Sequence, residues 1–452
     1  MSGMDSPTTG KRTSLWPPAF LLLLALLQLA LAPLVQGGDI EIAPLFRVDS
    51  LGILFGIAWT LTLAALSVPL TGQRVAGFPV IIGLGFLVSA YAHNAIMLAL
   101  GGAIAGLGIW VAQNQLHVPA KISRAALIAS VLAIALVAVP VFMSFPAFTP
   151  PAGGVTGPWH PAVVLAVAAI LMLGHGVRTW RGWRRGADRA EPEAGAAYTD
   201  LYALATPYIL AKMLVAAPWH PLGSWLLVLV GMLVLLVSAY TAYSSEEQRR
   251  AWAFVSSLVG ISLAGFGLAS SSPPAAAGAT WAMLAGLLWV AARGWRWAEI
   301  ATLLAVLPGL WMVSQAALDT GYGVVAVLLL PAYILLASLT LLSTSRPQRA
   351  WHWTGFVPVA LSVLATALPQ LIVEALVRPA VRTMAGGVAA LTTLAIDWGV
   401  GMLVRSPQGT VQAALPATGG GLAVFLAAVA LYWVKQLAGR AERRLRGDTQ
   451  PE

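Results

Sequence analysis

The sequence predicts an all-α fold: a polytopic transmembrane bundle of about 14 helices. Three observations predict it. The first is composition. Of 452 residues, 59% are hydrophobic and 10% charged, with a mean hydropathy of +0.81, whereas a soluble globular chain is about half apolar and roughly a quarter charged. The 17 acids and 26 bases cannot coat the water-facing surface of a 47.2 kDa body. This excludes an ordinary soluble enzyme, a disordered chain and a secreted disulfide scaffold. The second observation is a succession of apolar stretches of about 20 residues, the length that crosses the hydrocarbon core of a bilayer. The third is the placing of the bases, which alternates from one linker to the next.

The apolar stretches run 16–36, 49–70, 76–93, 94–112, 124–146, 161–178, 200–217, 222–243, 251–270, 275–293, 298–317, 321–343, 354–374 and 417–437, with a further stretch at 385–404. The first exceeds the roughly 7–15 apolar residues of a signal peptide and no clear cleavage site follows it, so it reads as a helix. Alternate linkers carry the bases. Lys11 and Arg12 come first, then Arg74, then Lys121 and Arg124. The run Arg178, Arg181, Arg184, Arg185 and Arg189 follows, then Arg249 and Arg250, Arg293 and Arg296, and Arg346 and Arg349. The linkers between are nearly free of base. Positive loops stay in the cytoplasm, so both termini are expected there, with Arg440, Arg443, Arg444 and Arg446 at the C-terminal end.

Two cytoplasmic ends require an even number of crossings. Fourteen fits if 385–404 enters only in part, which Asp397, Gly386 and Gly387 favour. The loop before it carries Arg378 and Arg382 and departs from the alternation. The expected organisation is a cytoplasmic tail at 1–15, one transmembrane domain at 16–437 and a cytoplasmic tail at 438–452. Within the domain, 178–199 is an Arg-rich cytoplasmic loop and 375–416 a partly re-entrant segment.

The net charge of +9 and pI of about 10.2 reflect this orientation rather than a nucleic-acid partner, because the bases lie between apolar runs. Cysteine is absent, which excludes disulfides, thiolate metal sites and a cysteine nucleophile. There is no metalloprotease or phosphate-loop signature and no Ser–His–Asp arrangement, and the residues indicate neither cofactor nor metal.

Ionisable groups at membrane depth are costly and are functional candidates by default. Lys212 stands in ATPYILAKMLVAA, five residues after Pro207. It is expected to carry a proton, or else to snorkel to the interface or pair structurally. His175 and Arg178, three residues apart at the end of a segment, share a helix face; Arg178 also fits a positive-inside anchor. Glu374, beyond Pro369, is placed at the opposite interface, and Asp49 and Asp397 are edge cases of the same kind. His93 and Asn94 divide two apolar runs and read as a loop between helices.

Several stretches resemble the antiporter-like membrane subunits of respiratory complex I, membrane-bound hydrogenases and multisubunit cation/proton antiporters. Phe46-Arg-Val-Asp49-Ser-Leu-Gly-Ile-Leu-Phe55 is similar to the family's F-x-x-D opening of an early helix. Ala92-His-Asn94, Leu173-Gly174-His-Gly-Val-Arg178, Ile209-Leu-Ala-Lys212-Met213, the stretch Glu246 to Ser257 with Arg249, and Leu303 to Trp311 resemble later landmarks in order. The resemblance implies two inverted bundles of five helices, each with a broken helix and a buried lysine. It also implies an ion path through Lys212, Arg178, His175, Arg249 and Glu374. Where the family keeps a glutamate this chain has Ala103. Arg178 stands at the first lysine position, and Val313 and Gln315 lie where the late lysine falls.

The resemblance implies a multi-pass subunit in a prokaryotic plasma (inner) membrane. It would take part in proton or sodium translocation within a complex-I-like NADH:quinone oxidoreductase, hydrogenase or cation/proton antiporter assembly. As an enzyme it is at most a non-catalytic membrane subunit. Its partners would be other membrane subunits and the lipid bilayer. The alternatives are a structural, non-conducting subunit of such a complex and a stand-alone transporter, which would purify without partners.

Overall fold

The computed structural model describes residues 15–35, 40–42, 45–68, 77–115, 193–216, 221–244, 247–292, 296–326, 328–329, 332–333, 360–361, 372, 376–384, 402–405 and 411–414. Helices dominate. They are α1 (Trp16–Val35), α2 (Ser50–Ser67), α3 (Phe78–Ala90), α4 (Ala95–Gln115), α5 (Glu193–Ala216), α6 (Pro221–Ser244), α7 (Glu247–Leu268), α8 (Pro273–Ala292), α9 (Arg296–Asp319) and α10 (Arg378–Met384). Five of these, α1, α2, α6, α8 and α9, are long and apolar enough to cross a membrane, and α3, α4 and α7 hold shorter apolar runs. The chain is a multi-pass membrane protein.

The helices follow the apolar stretches closely, with three differences. First, α5 opens at Glu193 rather than near 200, so the end of the expected 178–199 loop is helical. Asp200 and Lys212 dilute its hydropathy, and both are buried in protein, at 3% and 1% exposure. Second, α9 runs two residues past the 298–317 stretch at each end, and both α5 and α9 continue unbroken through Pro207 and Pro308. Proline deletes one backbone hydrogen bond, and packing on neighbouring helices tolerates that loss. Third, Arg378 and Arg382 lie on helix α10, not in a loop; its Ala380, Val381 and Met384 are buried, and the helix packs on α2 and α5.

The fold also carries strands. β1 (Ile40–Glu41) and β2 (Arg47–Val48) form an antiparallel hairpin before α2, with Glu41 opposite Arg47. A second antiparallel pair joins β3 (Met402–Arg405) to β4 (Val411–Ala414), so the end of the 385–404 stretch is strand. The expected helices at 124–146, 161–178 and 417–437 lie outside the described residues, as do Asp397, Gly386 and Gly387.

Glycine sets how closely the helices pair. A Cβ on Gly85 of α3 would meet the Gly101 carbonyl of α4 at 2.8 Å, and one on Gly231 of α6 would meet the Gly260 carbonyl of α7 at 2.6 Å. One on Gly278 of α8 would meet the Gly309 carbonyl of α9 at 2.7 Å. Each of these sequential hairpins therefore closes backbone to backbone, the small-residue packing expected where lipid offers no hydrophobic drive. Two groups result, α1–α4 and α6–α9. α5 packs on α4, α7, α8 and α10, and α2 packs on α3, α8 and α10, so α2 and α5 form the seam between the groups.

Candidate functional site

Asp49 and Lys212 meet on that seam. The sequence after β2 reads Asp49-Ser-Leu-Gly52, a short polar residue before an apolar run, which is a helix start. Asp49 takes extended backbone angles (φ −119°, ψ 165°) as the N-cap of α2, and its Oδ1 accepts the Gly52 N–H at 2.5 Å. The other oxygen, Oδ2, accepts from Lys212 Nζ at 2.7 Å, 163 residues away in sequence. Both side chains are 1% exposed.

The helix ends fit these charges. The carboxylate sits at the positive N-terminus of α2. Lys212 lies four residues before the end of α5, toward its negative pole. Because α5 starts early, Lys212 is displaced from mid-helix toward one end of the bundle. It is buried and paired with Asp49.

The surrounding layer is built from α3 and its following turn. A Cβ on Gly52 would meet the Ala90 carbonyl at 2.6 Å and the Tyr91 ring at 3.2 Å, so glycine lets the first turn of α2 press on the end of α3. Tyr208, one turn before Lys212 on the same face of α5, donates its hydroxyl to the Ala90 carbonyl at 2.8 Å. Its ring centroid lies 6.0 Å from Lys212 Nζ, at the outer reach of a cation–π contact.

Strand β2 is clamped to the turn after α3. Arg47 N–H donates to the Tyr91 carbonyl at 2.9 Å, His93 N–H donates to the Leu45 carbonyl at 3.0 Å, and Phe46 pairs with Ala92. Asn94 caps α4 by accepting the Met97 N–H at 2.9 Å, and His93 and Asn94 form the expected loop. The Tyr91 hydroxyl donates to Gln28 Oε1 of α1 at 2.7 Å. Burial, and then the Asp49 charge, raise the Tyr91 pKa and keep the phenol protonated.

Of the five residues expected on an ion path, Lys212 is the one whose surroundings are described. Arg249 lies in the first turn of α7; His175, Arg178 and Glu374 lie outside the described residues. Val313 of α9 is fully buried, and Gln315 is exposed and bonded to Asp319 at 3.3 Å. The residue that sequence reasoning undervalued is Asp49. Its signal was present: a lysine at membrane depth needs a counter-charge, and Asp49 belonged to one of the motifs that carry the resemblance. No group of three or more His, Cys, Asp or Glu that could hold a metal ion occurs among the described residues.

The sequence matches no family model and no curated protein. Its fold has clear counterparts. It is similar to a chain of the Mrp complex from Dietzia sp. DQ12-45-1b, with a TM-score of 0.62 and 15% identity. That match covers 97% of this chain and 55% of the other, so this chain spans about half its length. A chain of respiratory complex I from Thermus thermophilus gives a TM-score of 0.63 at 16% identity, over 82% of this chain and 95% of that one. A chain of the membrane-bound sulfane sulfur reductase, an archaeal respiratory membrane complex, gives 0.59 at 14% identity, over 81% and 92%. The chain shares its fold with these chains of membrane complexes.

Proposed function

We propose that this chain is a membrane subunit of a complex-I-like oxidoreductase, hydrogenase or cation/proton antiporter assembly and takes part in proton translocation, with sodium as the alternative ion. The observation that carries the reading is the Lys212–Asp49 pair, sequestered at 2.7 Å on the seam between two helix groups, in a fold shared with chains of multi-subunit membrane complexes. Buried charges in a membrane protein are expensive, and their usual use is an ion path.

The chemistry is that of a coupled pair. While Asp49 is ionised it holds the Lys212 ammonium. Protonating Asp49 removes that counter-charge, so a proton arriving at one group favours departure of a proton from the other. Lys212 is the carrier in this reading. Arg178 and His175 tune it electrostatically, and Arg249 and Glu374 extend the path. Both termini lie in the cytoplasm of a prokaryotic cell, which puts the β1–β2 hairpin outside. The test is a Lys212→Ala variant in the assembled complex, with ion translocation measured in sealed vesicles. Loss of translocation in a complex of unchanged composition supports the reading.

A second reading is a structural subunit that keeps the fold and its partner surfaces without conducting. Ala103, Val313 and Gln315 favour it, since they leave two positions of the resembled path, the glutamate and the late lysine, without charge. It predicts that Lys212→Ala changes stability alone and leaves translocation intact.

A further inference from the structure

The Lys212–Asp49 pair has two unlike sides. On one side, Phe55 and Trp59 of α2, Phe86 of α3 and Tyr208 of α5 are each no more than 1% exposed, with Tyr208 the ring nearest Lys212. Their rings interlock: Phe55 to Tyr208 at 4.9 Å, Trp59 to Tyr208 at 4.8 Å and Trp59 to Phe86 at 4.9 Å. This side is dry. The other side is the layer made by the β1–β2 hairpin and the turn between α3 and α4, and it holds His93.

The His93 side chain is 7% exposed. Its Nδ1 is buried and has no hydrogen-bond partner among the described residues. A buried polar nitrogen without a partner is costly, and each such case calls for an explanation such as a transient water or a proton-transfer role. The charged groups that act on the ring come from every side of the layer. They are Glu41 on β1, Arg47 on β2, Asp49 at the start of α2 and Lys212 on α5. Glu41 is exposed, so the layer runs from the buried pair to water.

We propose that His93 is the proton relay between the Lys212–Asp49 pair and water at the hairpin end of the bundle. This rests on the proton-translocating reading above. When a proton arriving at Asp49 removes the counter-charge, Lys212 Nζ gives up one proton through an intervening water to His93 Nδ1, leaving an amine and an imidazolium. The other ring nitrogen releases its proton to bulk water, and the ring returns to neutral in the alternate tautomer. One proton has moved and no electrons. The Asp49 proton then passes to the Lys212 amine, which restores the ion pair. Burial, together with Arg47 and Lys212, keeps the resting ring neutral, as a proton acceptor must be, and outweighs Glu41 and Asp49.

The test uses the assembled complex in sealed vesicles, with His93→Ala, His93→Gln and Lys212→Ala. His93→Ala is expected to slow proton translocation at least tenfold and to recover when imidazole is added to the buffer. His93→Gln slows it similarly and does not recover. With Lys212→Ala inactive, a His93→Ala complex that translocates at the wild-type rate, or a loss that imidazole leaves untouched, overturns the relay alone. A Lys212→Ala complex that translocates normally overturns the translocation reading and the relay with it. A second measurement does not depend on transport. Histidine NMR of the full chain in lipid nanodiscs should show His93 titrating at higher pH in Lys212→Met than in wild type, since a nearby positive charge is gone. An unchanged titration overturns the coupling on which the relay depends.

Discussion

Lys212 Nζ and Asp49 Oδ2 lie 2.7 Å apart with both side chains 1% exposed, and the same carboxylate caps helix α2 through the Gly52 N–H. One aspartate thus starts a helix and neutralises a lysine from another helix. Removing Lys212 leaves a buried carboxylate with a single backbone donor, and breaking a buried pair in this way costs about 3–5 kcal/mol. Lys212→Met and Asp49→Asn should each lower the unfolding temperature of the detergent-solubilised protein. The double variant should be more stable than the sum of the two losses predicts, because neither partner is left as an unpaired charge. Strictly additive losses would show that the two side chains do not act as a pair.

Much of the fold was legible in the sequence, because lipid imposes a length and a composition on every crossing. The ends of α2, α3, α6 and α8 fall within a few residues of the apolar stretches at 49–70, 76–93, 222–243 and 275–293. The start of α5 was not legible. Residues 193–199, Glu-Ala-Gly-Ala-Ala-Tyr-Thr, hold no apolar run that marks a crossing, yet they are helical, with Ala197 and Tyr198 at 1% exposure. The β1–β2 hairpin was hidden too, since two-residue strands leave no period to detect. At the site, Lys212 stood out as a base in an apolar run. Its partner did not, because pairing across 163 residues is a tertiary fact.

Helix hairpins closed by paired glycines should resist any side chain. A Cβ at Gly231 would sit 2.5 Å from the Ala264 nitrogen and 2.6 Å from the Gly260 carbonyl. Both are backbone atoms that move only if α6 and α7 separate. Gly231→Val should destabilise by at least about 1–3 kcal/mol, the usual cost of overpacking. Gly323→Ala, with open space around it, should fall within about 0.5 kcal/mol of wild type. Thermal unfolding of the two variants compares them directly.

Helix α1 should be held in place by Gln28. Its Oε1 accepts from the Tyr91 hydroxyl at 2.7 Å, and its Nε2 donates to the Leu24 carbonyl at 3.1 Å. Gln28→Leu keeps the volume and strands the Tyr91 hydroxyl, an orphaned buried donor worth about 1–3 kcal/mol. Adding Tyr91→Phe should restore part of that loss, because the stranded group is then gone. A Tyr91→Phe change that brings no recovery would mean the two side chains do not depend on each other.

The His93 environment sets a pH dependence. Burial first, then Arg47 and Lys212, place its folded-state pKa below the ordinary value of 6.5, despite Glu41 and Asp49. Below pH 6.5 the unfolded state therefore binds more protons than the folded state, so stability falls as pH drops through that value toward the folded pKa. Melting curves between about pH 7.5 and 5 should show this fall in wild type and a smaller one in His93→Gln. Equal slopes would place the titrating group elsewhere.

The most direct test of the account is proton translocation by a complex carrying Lys212→Ala, assembled to the wild-type level and sealed in vesicles. The account predicts at least a tenfold loss of translocation with the complex intact. Translocation at the wild-type rate would contradict it and leave the Lys212–Asp49 pair as a structural clasp between the two helix groups.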